Sequence, residues 1–471
     1  MTQDRDERLI YEALSQVETP EYDILTALEG TERGRKGRWP RRIFRRVIVL
    51  AAVCAVLAVS AGAVGASGLW SAFFGPIPSN AVSTIGVSQT AGEYTLTLED
   101  AIVDENGAML LLALSRADGR EIDPKARLET NSLGVRLLAD GEYLGNGSFG
   151  FEEPQLSVDG KTLYFCYEGQ TGGMDNNPLD SCLTFTADGV GYQLIGENGY
   201  YSIDGGAPVS LAALTEVPEC TGLNFTYGAD TEKALQAAEA AGVSIPLPKD
   251  EEFPQFAVLG AVMTDEGLAL VLSQGTGRSG DLRCSHVQCD ALVDTRDGTR
   301  YGLTGSRGGD LPDGGWANIN FFTDCPLGPK DLPYLELEVS YWIDRVLSEE
   351  PFSLTFRADK SSAVTLPVEE TVTISGVELH PTEIRLSALS LLVFFDNDMD
   401  AAGFLYEDGS APVLTLKDGS VIETQWSGGY GGGDGRCSIR FRVEDSGQER
   451  FFFDTSQISS IRFGGLEIPI P

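Results

Sequence analysis

The stretch YTLTLEDAIVDENGAMLLLAL, residues 94–114, decides how this chain is read. Tyr94, Leu96 and Leu98 alternate with Thr95 and Thr97, the period-two pattern of a strand with one buried face. A polar turn at Asp104-Glu-Asn-Gly107 follows, then a second β-rich run. Strand, turn and strand make the opening hairpin of a β domain. The pattern returns twice. Phe256-Ala-Val-Leu259 leads into Ala261-Val-Met-Thr-Asp265-Glu-Gly267-Leu-Ala-Leu270, and Val372-Thr-Ile-Ser-Gly-Val377 leads into Leu379-His-Pro-Thr-Glu-Ile384-Arg-Leu386.

A later hairpin accompanies each copy, marked by Asp140-Gly141, Asp297-Gly298 and Asp418-Gly419. An Asp-Gly pair supplies the left-handed backbone that a two-residue hairpin needs. These pairs fall 39, 36 and 41 residues after Ala101, Ala261 and Val377, so the offset itself repeats. Alternating strands close the units at Leu183-Thr-Phe-Thr186, Phe352-Ser-Leu-Thr-Phe356 and Ile461-Arg-Phe463. Units of about 100 residues with strands at such spacing predict immunoglobulin-like β-sandwiches. The expected class is mainly β, with a single N-terminal transmembrane helix followed by about three such domains. They are placed at 85–195, 251–365 and 366–471. Residues 196–250 read as an insert and linker, with a short helix at Ala234–Gly242 and Pro-rich Ile245-Pro-Leu-Pro248.

The membrane expectation rests on residues 47–69. Val47–Leu69 carries no charged residue, and 23 residues of helix span roughly 35 Å, enough for a hydrocarbon core of about 30 Å. Trp70, Phe73 and Phe74 follow where an interfacial aromatic belt belongs. Arg33, Arg35, Lys36, Arg38, Arg41, Arg42, Arg45 and Arg46 crowd the near flank, opposed only by Glu32. The far side, from Asn80 on, holds 24 basic and 61 acidic residues. Positive charge stays inside, so the N-terminus is predicted cytoplasmic and the C-terminal domains extracytoplasmic. A cleavable signal peptide at Ala61-Gly62-Ala63 fits less well, because 46 residues precede the apolar run. Lipidation at Cys54 is disfavoured by bulky Val53.

Residues 1–46 read as a cytoplasmic segment. Leu9, Ile10, Ala13 and Leu14 share one face of a short amphipathic helix that Pro20 ends. Such a helix is marginal alone and gains order on a partner, so these residues are the candidate partner-binding set; a disordered tail is the alternative. The basic stretch needs only anionic lipid.

The acidic N-terminal helix, the Lys/Arg cluster, the single anchor and the 94–114 stretch resemble bacterial membrane-anchored proteins with a domain of unknown function of the DUF four-one-seven-nine type. Val377-Glu-Leu-His-Pro381-Thr-Glu-Ile384 and Ile458-Ser-Ser-Ile461-Arg-Phe463 are similar to that family's later elements. The resemblance implies genes encoded beside extracytoplasmic-function sigma factors, and hence an anti-sigma-factor-like regulator or envelope-signal sensor. Its expected partners are the membrane, a cytoplasmic sigma factor and an outer ligand of unknown identity. Residues 1–46 contain no His and no Cys, so a zinc-type anti-sigma site is absent there. The alternative is a cell-surface adhesion or ligand-binding module without a regulatory role.

The formal net charge of −36 argues against a nucleic-acid partner, which needs a basic face. No nucleophile motif, P-loop or dinucleotide fingerprint is present, so no enzyme activity and no cofactor are expected. Cys166 and Cys182 are the candidate disulfide. Cys284-Ser-His286-Val-Gln-Cys289 with Cys325 looks like a metal cluster, but its spacing fits no familiar zinc motif; buried thiols or a disulfide explain it as well. Asp396, Asp398, Asp400 and Glu407 have the spacing of a calcium loop, with Ala401 where Gly is wanted; an acidic solvated loop is the preferred reading. No metal site is assigned.

Overall fold

The computed structural model describes residues 70, 81–104, 107–144, 147–149, 154–170, 181–196, 200–220, 231–249, 251–265, 267–311, 315–322, 325–358, 363–397, 411–431, 437–443 and 452–471. Leu9, Ile10, Ala13, Leu14, the apolar run 47–69, Asp398, Asp400 and Glu407 lie outside the described residues. Among the described residues no helix is long and apolar enough to cross a membrane.

The chain is mainly β, built from several antiparallel sheets. The first sheet runs β1 (Val82–Ala91), β2 (Tyr94–Asp104), β3 (Gly107–Arg116), β7 (Thr162–Gln170) and β6 (Gly147–Phe149). Facing it are β8 (Leu183–Ala187), β4 (Val135–Ala139) and β5 (Glu142–Tyr143). Leu96, Leu98, Leu112, Leu137, Phe165 and Phe185 fill the space between the two sheets. The hairpin of residues 94–114 is therefore present, with Leu96 paired to Leu114 and Ala101 to Leu110.

The next elements build a second two-sheet unit. Its first sheet is β10 (Glu219–Cys220), β11 (Ala257–Thr264), β12 (Gly267–Gln274), β16 (Trp316–Phe321) and β15 (Gly305–Asp310). Its second contains β9 (Val190–Gln193), β17 (Leu335–Ser348), β13 (Leu282–Asp294) and β14 (Arg300–Gly302). The residues read as insert and linker belong to this unit. Ile203–Asp204 and Val209–Ser210 pair with β17, and Ile245–Pro246 pairs with β11. The predicted helix is α1 (Thr231–Ala240), and Gly242 beyond its end takes a φ of 65°. Ala234, Leu235 and Ala238 press it onto the outer face of β11, β12 and β16. The approach is close: a Cβ on Gly260 would lie 3.0 Å from the Ala238 Cβ.

One strand is not where the alternation placed it. β18 (Phe352–Phe356), read as the closing strand of the second unit, pairs with β8 of the first, Phe352 opposite Ala187 and Phe356 opposite Leu183. Phe352, Leu354 and Phe356 point into the first core. The second unit, which the chain enters just after Val190 and leaves before Ser348, is thus inserted between two adjacent strands of the first; Val190 itself packs in the first core. Alternation in Phe-Ser-Leu-Thr-Phe fixes which side chains are buried; it says nothing about which neighbour accepts the hydrogen bonds.

A third unit follows: β19 (Val364–Pro367), β20 (Pro381–Leu386), β21 (Leu391–Phe395), β24 (Cys437–Val443), β23 (Val421–Gly431), β22 (Val413–Leu416), β25 (Ile458–Phe463) and β26 (Leu466–Pro469), in that sheet order. Leu391, Val393, Leu414, Ile439, Phe441 and Phe463 share its core. Its opening differs from expectation. Val372–Ile374 and Val377–Leu379 form a separate small hairpin through Ser375 and Gly376, at φ 49° and 83°. The pair that matches β2–β3 and β11–β12 is β20–β21.

All three units share one plan. The Asp-Gly turn follows β4, β13 and β22, with Gly141, Gly298 and Gly419 at φ 90°, 77° and 87°. The chain leaving it pairs first with the strand before the turn, as β5, β14 and the start of β23. It then crosses to the other sheet, as β6, β15 and the rest of β23. In β23 the crossing is one continuous strand, bent at a register shift between Trp426 and Gly428.

Candidate functional site

The site is built on β2. Its alternation slips at a register shift between Leu98 and Asp100. Leu96, Leu98, Ala101 and Val103 face the core, so Asp100, Ile102 and Asp104 face the opposite side of the sheet. That outer face is also covered, because Met109 and Leu111 of β3 and Cys166 of β7 are buried on it. Two separate segments cover it. One is Trp70, fully buried, with Ala81 packed in the same cluster; the other is the third unit, through Ala388, Leu389 and Phe452.

Trp70 joins these elements. Its indole N–H donates to Asp100 Oδ2 at 3.1 Å, and its ring stands edge-on to Phe452 with centroids 6.4 Å apart. Burial in protein corrects its expected place in an interfacial aromatic belt. The indole finds both an apolar bed and a carboxylate acceptor, which a lipid interface would have to replace with headgroups and water.

Charged groups lie at the same junction. Glu168 of β7 pairs with Arg442 of β24, and both are largely shielded from solvent. Asp104 is buried and accepts the Gly107 N–H at 3.1 Å. Arg440 is buried nearby; burial pulls its guanidinium down to about 10, against the pull of the Asp104 charge. Burial likewise pushes the Asp100 carboxyl above the usual range, against hydrogen bonds from Thr84 and Trp70. Taking one partner from a buried pair strands the other charge, typically at about 3–5 kcal/mol, so removing Arg442 alone leaves the Glu168 carboxylate buried without its cation.

A second polar cluster fastens the inserted unit. Asp344 of β17 is fully buried, and its Oδ2 accepts from Thr130 Oγ1 at 2.8 Å, Ser132 N at 2.7 Å and Ser132 Oγ at 2.6 Å. In a third, Arg296 bridges Asp294 and Asp331 at 2.6 and 2.9 Å, with its guanidinium 4.9 Å from the Tyr334 ring centre. That arrangement braces the turn before β17.

The cysteine expectations are corrected. Cys166 and Cys182 are not bonded to each other. Cys166 faces away from the first core, and Cys182 precedes a strand of the opposite sheet, with its thiol 3.9 Å from the Phe356 carbonyl. The thickness of the sandwich, about 10 Å between sheets, separates them. Cys284, Cys289 and Cys325 point into the second core. His286 lies on the other face of β13, edge-on to Trp342 at 5.8 Å. Burial pushes the Cys284 thiol up to about 12 and raises that of Cys289 further. Among the described residues no group of three or more His, Cys, Asp or Glu is placed to hold a metal ion. An open cavity of about 350 Å³ lies beside β10, lined by Val217, Glu219, Met263, Asp265 and Pro329 among others.

The junction residues carried a signal in the sequence. Ala108–Leu114 is apolar without alternation, and its strand is buried on both faces. The Trp70 partner, 30 residues away, left no such mark.

No protein-family model matches the chain, and no curated protein matches it. Among solved structures, the chain is similar to a conserved domain protein from Bacillus anthracis. Identity is 8%, with 81% of this chain and 77% of that chain covered at a TM-score of 0.32.

Proposed function

We propose that the chain is a single-pass envelope protein: residues 1–46 inside, Val47–Leu69 as the anchor, and three immunoglobulin-like sandwiches outside. In this reading it acts as an anti-sigma-factor-like regulator or envelope-signal sensor. The helix bearing Leu9, Ile10, Ala13 and Leu14 holds a cytoplasmic sigma factor. One observation carries the choice of sensor: Trp70, next after the apolar run, is buried between two of the outer units. A passive tether has no need to bury its first outer residue in a domain junction. A sensor has that need, because an outer event must reach the anchor. The test is capture of purified extracytoplasmic-function sigma factors by the full chain in detergent. The wild type retains one, and Leu9→Asp with Leu14→Asp loses it; failure to retain any sigma factor sinks the regulatory role.

The second reading is an adhesion or ligand-binding module, favoured by exposed aromatics such as Tyr200 and Tyr201, at 70% and 58% exposure. In that case deleting residues 4–28 leaves surface binding and transcription unchanged.

A further inference from the structure

We propose that the junction of Trp70 with the first and third units is a clasp that opens as a unit. Closing it sequesters Trp70; parting the third unit from the first uncovers Trp70 and the outer face of β2, β3 and β7. Its signalling consequence rests on the reading of residues 47–69 as an anchor, whereas the clasp is a property of the outer fold alone.

Three observations carry it. First, Trp70 is held by groups from both units at once: Asp100 of the first takes its N–H, and Phe452 of the third packs against its ring. Neither unit alone supplies that set, so parting the two removes the ring contact to Phe452 and opens one side of Trp70 to solvent. Second, the junction is charge-rich. Arg442 with Glu168 and Arg440 beside Asp104 lie beside a small apolar cluster of Ile102, Met109, Leu111 and Ala388. The three cores are far larger and almost wholly apolar. Interfaces between domains of this polar kind part at lower free energy than cores do. Third, opening strands no sandwich strand: every ladder of the first and third units lies within its own unit. The clasp thus has two states whose balance a ligand or tension shifts by its differential hold on them. The coupling is reciprocal: whatever parts the units loosens Trp70, and whatever withdraws Trp70 loosens the units.

Cys166 reports the state of the clasp, since it is buried in this junction and outside the first core. Cys284 and Cys289 are buried in the second core and report global loss of structure. The experiment alkylates the full chain in detergent micelles under native conditions and follows each cysteine by peptide mass spectrometry. The variant-to-wild-type rate ratio at each thiol is read, which removes differences in intrinsic reactivity. Trp70→Ala and Arg442→Ala each raise the Cys166 rate at least tenfold and leave Cys284 and Cys289 within twofold. Trp70→Phe, which keeps an aromatic ring and deletes the N–H, gives a smaller rise confined to Cys166. An unchanged Cys166 rate in Trp70→Ala overturns the clasp. So does an equal rise at all three thiols, which would make Trp70 part of one global core. Sigma-factor capture is a separate readout: its failure removes the regulatory role and leaves the Cys166 result standing.

Discussion

Replacing Phe352 by Ala tests the insertion of the second unit into the first. Phe352 is 1% exposed, lies opposite Ala187 in the β8–β18 ladder, and packs in the first core. A fully buried Phe→Ala change costs about 3–5 kcal/mol, from lost transfer energy and the cavity left behind. Against a typical domain stability of about 5–15 kcal/mol, that raises the unfolded population of the affected unit by about 10² to 10⁴-fold. The assay is peptide-resolved hydrogen exchange of the full chain across a urea series, with thiol labelling of the second-core cysteines alongside. With a urea dependence of about 2 kcal/mol per molar, the exchange midpoint of the β2, β4 and β8 peptides, which line the first core, should fall by about 1.5–2.5 M. Cys284 and Cys289 lie in the second core, and their midpoints should stay in place. Phe256→Ala, in that second core, should give the converse pattern. If Phe352→Ala lowers the Cys284 and Cys289 midpoints and spares the first-core peptides, then β18 belongs to the second unit and the insertion is wrong.

Replacing Gly191–Leu347 by a short Gly-rich loop keeps Val190, which is buried in the first core, paired with Ser348 beyond the Ala187–Phe352 pair. The shortened chain should keep a cooperative urea transition in the hydrogen exchange of its first-core peptides; loss of that transition would argue against an independent first unit. Gly191→Ala should destabilise far more than Gly141→Ala, because a Cβ at Gly191 would meet the Arg345 carbonyl oxygen at 2.7 Å whereas one at Gly141 meets nothing within 4 Å. For Gly141→Ala the left-handed backbone alone contributes about 1 kcal/mol, measurable as a small shift in urea midpoint. Asp294 is held below the usual value of 3.8 by hydrogen bonds from the Arg296 side chain, and Asp331 by the Gly328 N–H and then Arg296. Their stabilisation is present above 3.8 and lost as pH falls through the depressed folded values, so Arg296→Ala should flatten the acid limb of the melting curve; an unchanged limb refutes this. Asp100 has the opposite sign, since its raised value means that stability is lost as pH rises through it. Asp100→Asn, which keeps an acceptor for Trp70, should therefore melt higher than wild type at neutral pH, by calorimetry.

What the sequence disclosed divides along a physical line. Turn chemistry is local, so the positions of the three Asp-Gly hairpins are legible, but only the first is a two-residue turn, with Asp140 and Gly141 at φ 49° and 90°; in the other two only Gly298 and Gly419 are left-handed and the loops are longer. Helix termination at Gly242 is local in the same sense. Strand pairing is not. Phe352–Phe356 shows its buried face by alternation, yet its partner lies some 170 residues earlier, and nothing in five residues encodes which edge they join. The two cysteines failed similarly. Cys166 and Cys182 are near in sequence and share a unit, but the register places one outside the first sheet and the other at the far sheet. The flank of Trp70, the end of an apolar run, points to a lipid interface, while its acceptor is a buried carboxylate displaced outward by a one-residue slip in β2.

The three copies share a further property that bears on function. In each, one strand of the central hairpin, β3, β12 or β21, is buried on both faces along most of its length, so the sheet needs a cover on the side away from its own core. The second copy covers β11, β12 and β16 with α1, supplied by its own insert. In the third, Phe394 on the outer face of β21 lies 4.5 Å under the Arg385 guanidinium of the neighbouring strand. Among the described residues, the outer face of the first copy is covered by Trp70 and the third unit, with Ala81, Val82 and Tyr164 of its own strands and flanks packed beside them. A cover belonging to the same unit is lost only when that unit unfolds. A cover borrowed from elsewhere can leave while the unit stays folded, exposing a ready apolar face and relinquishing the residue that follows the apolar run. Of the three sheets, the first is therefore the one whose cover can leave while its own unit stays folded, and it is there that the proposed sensing would act.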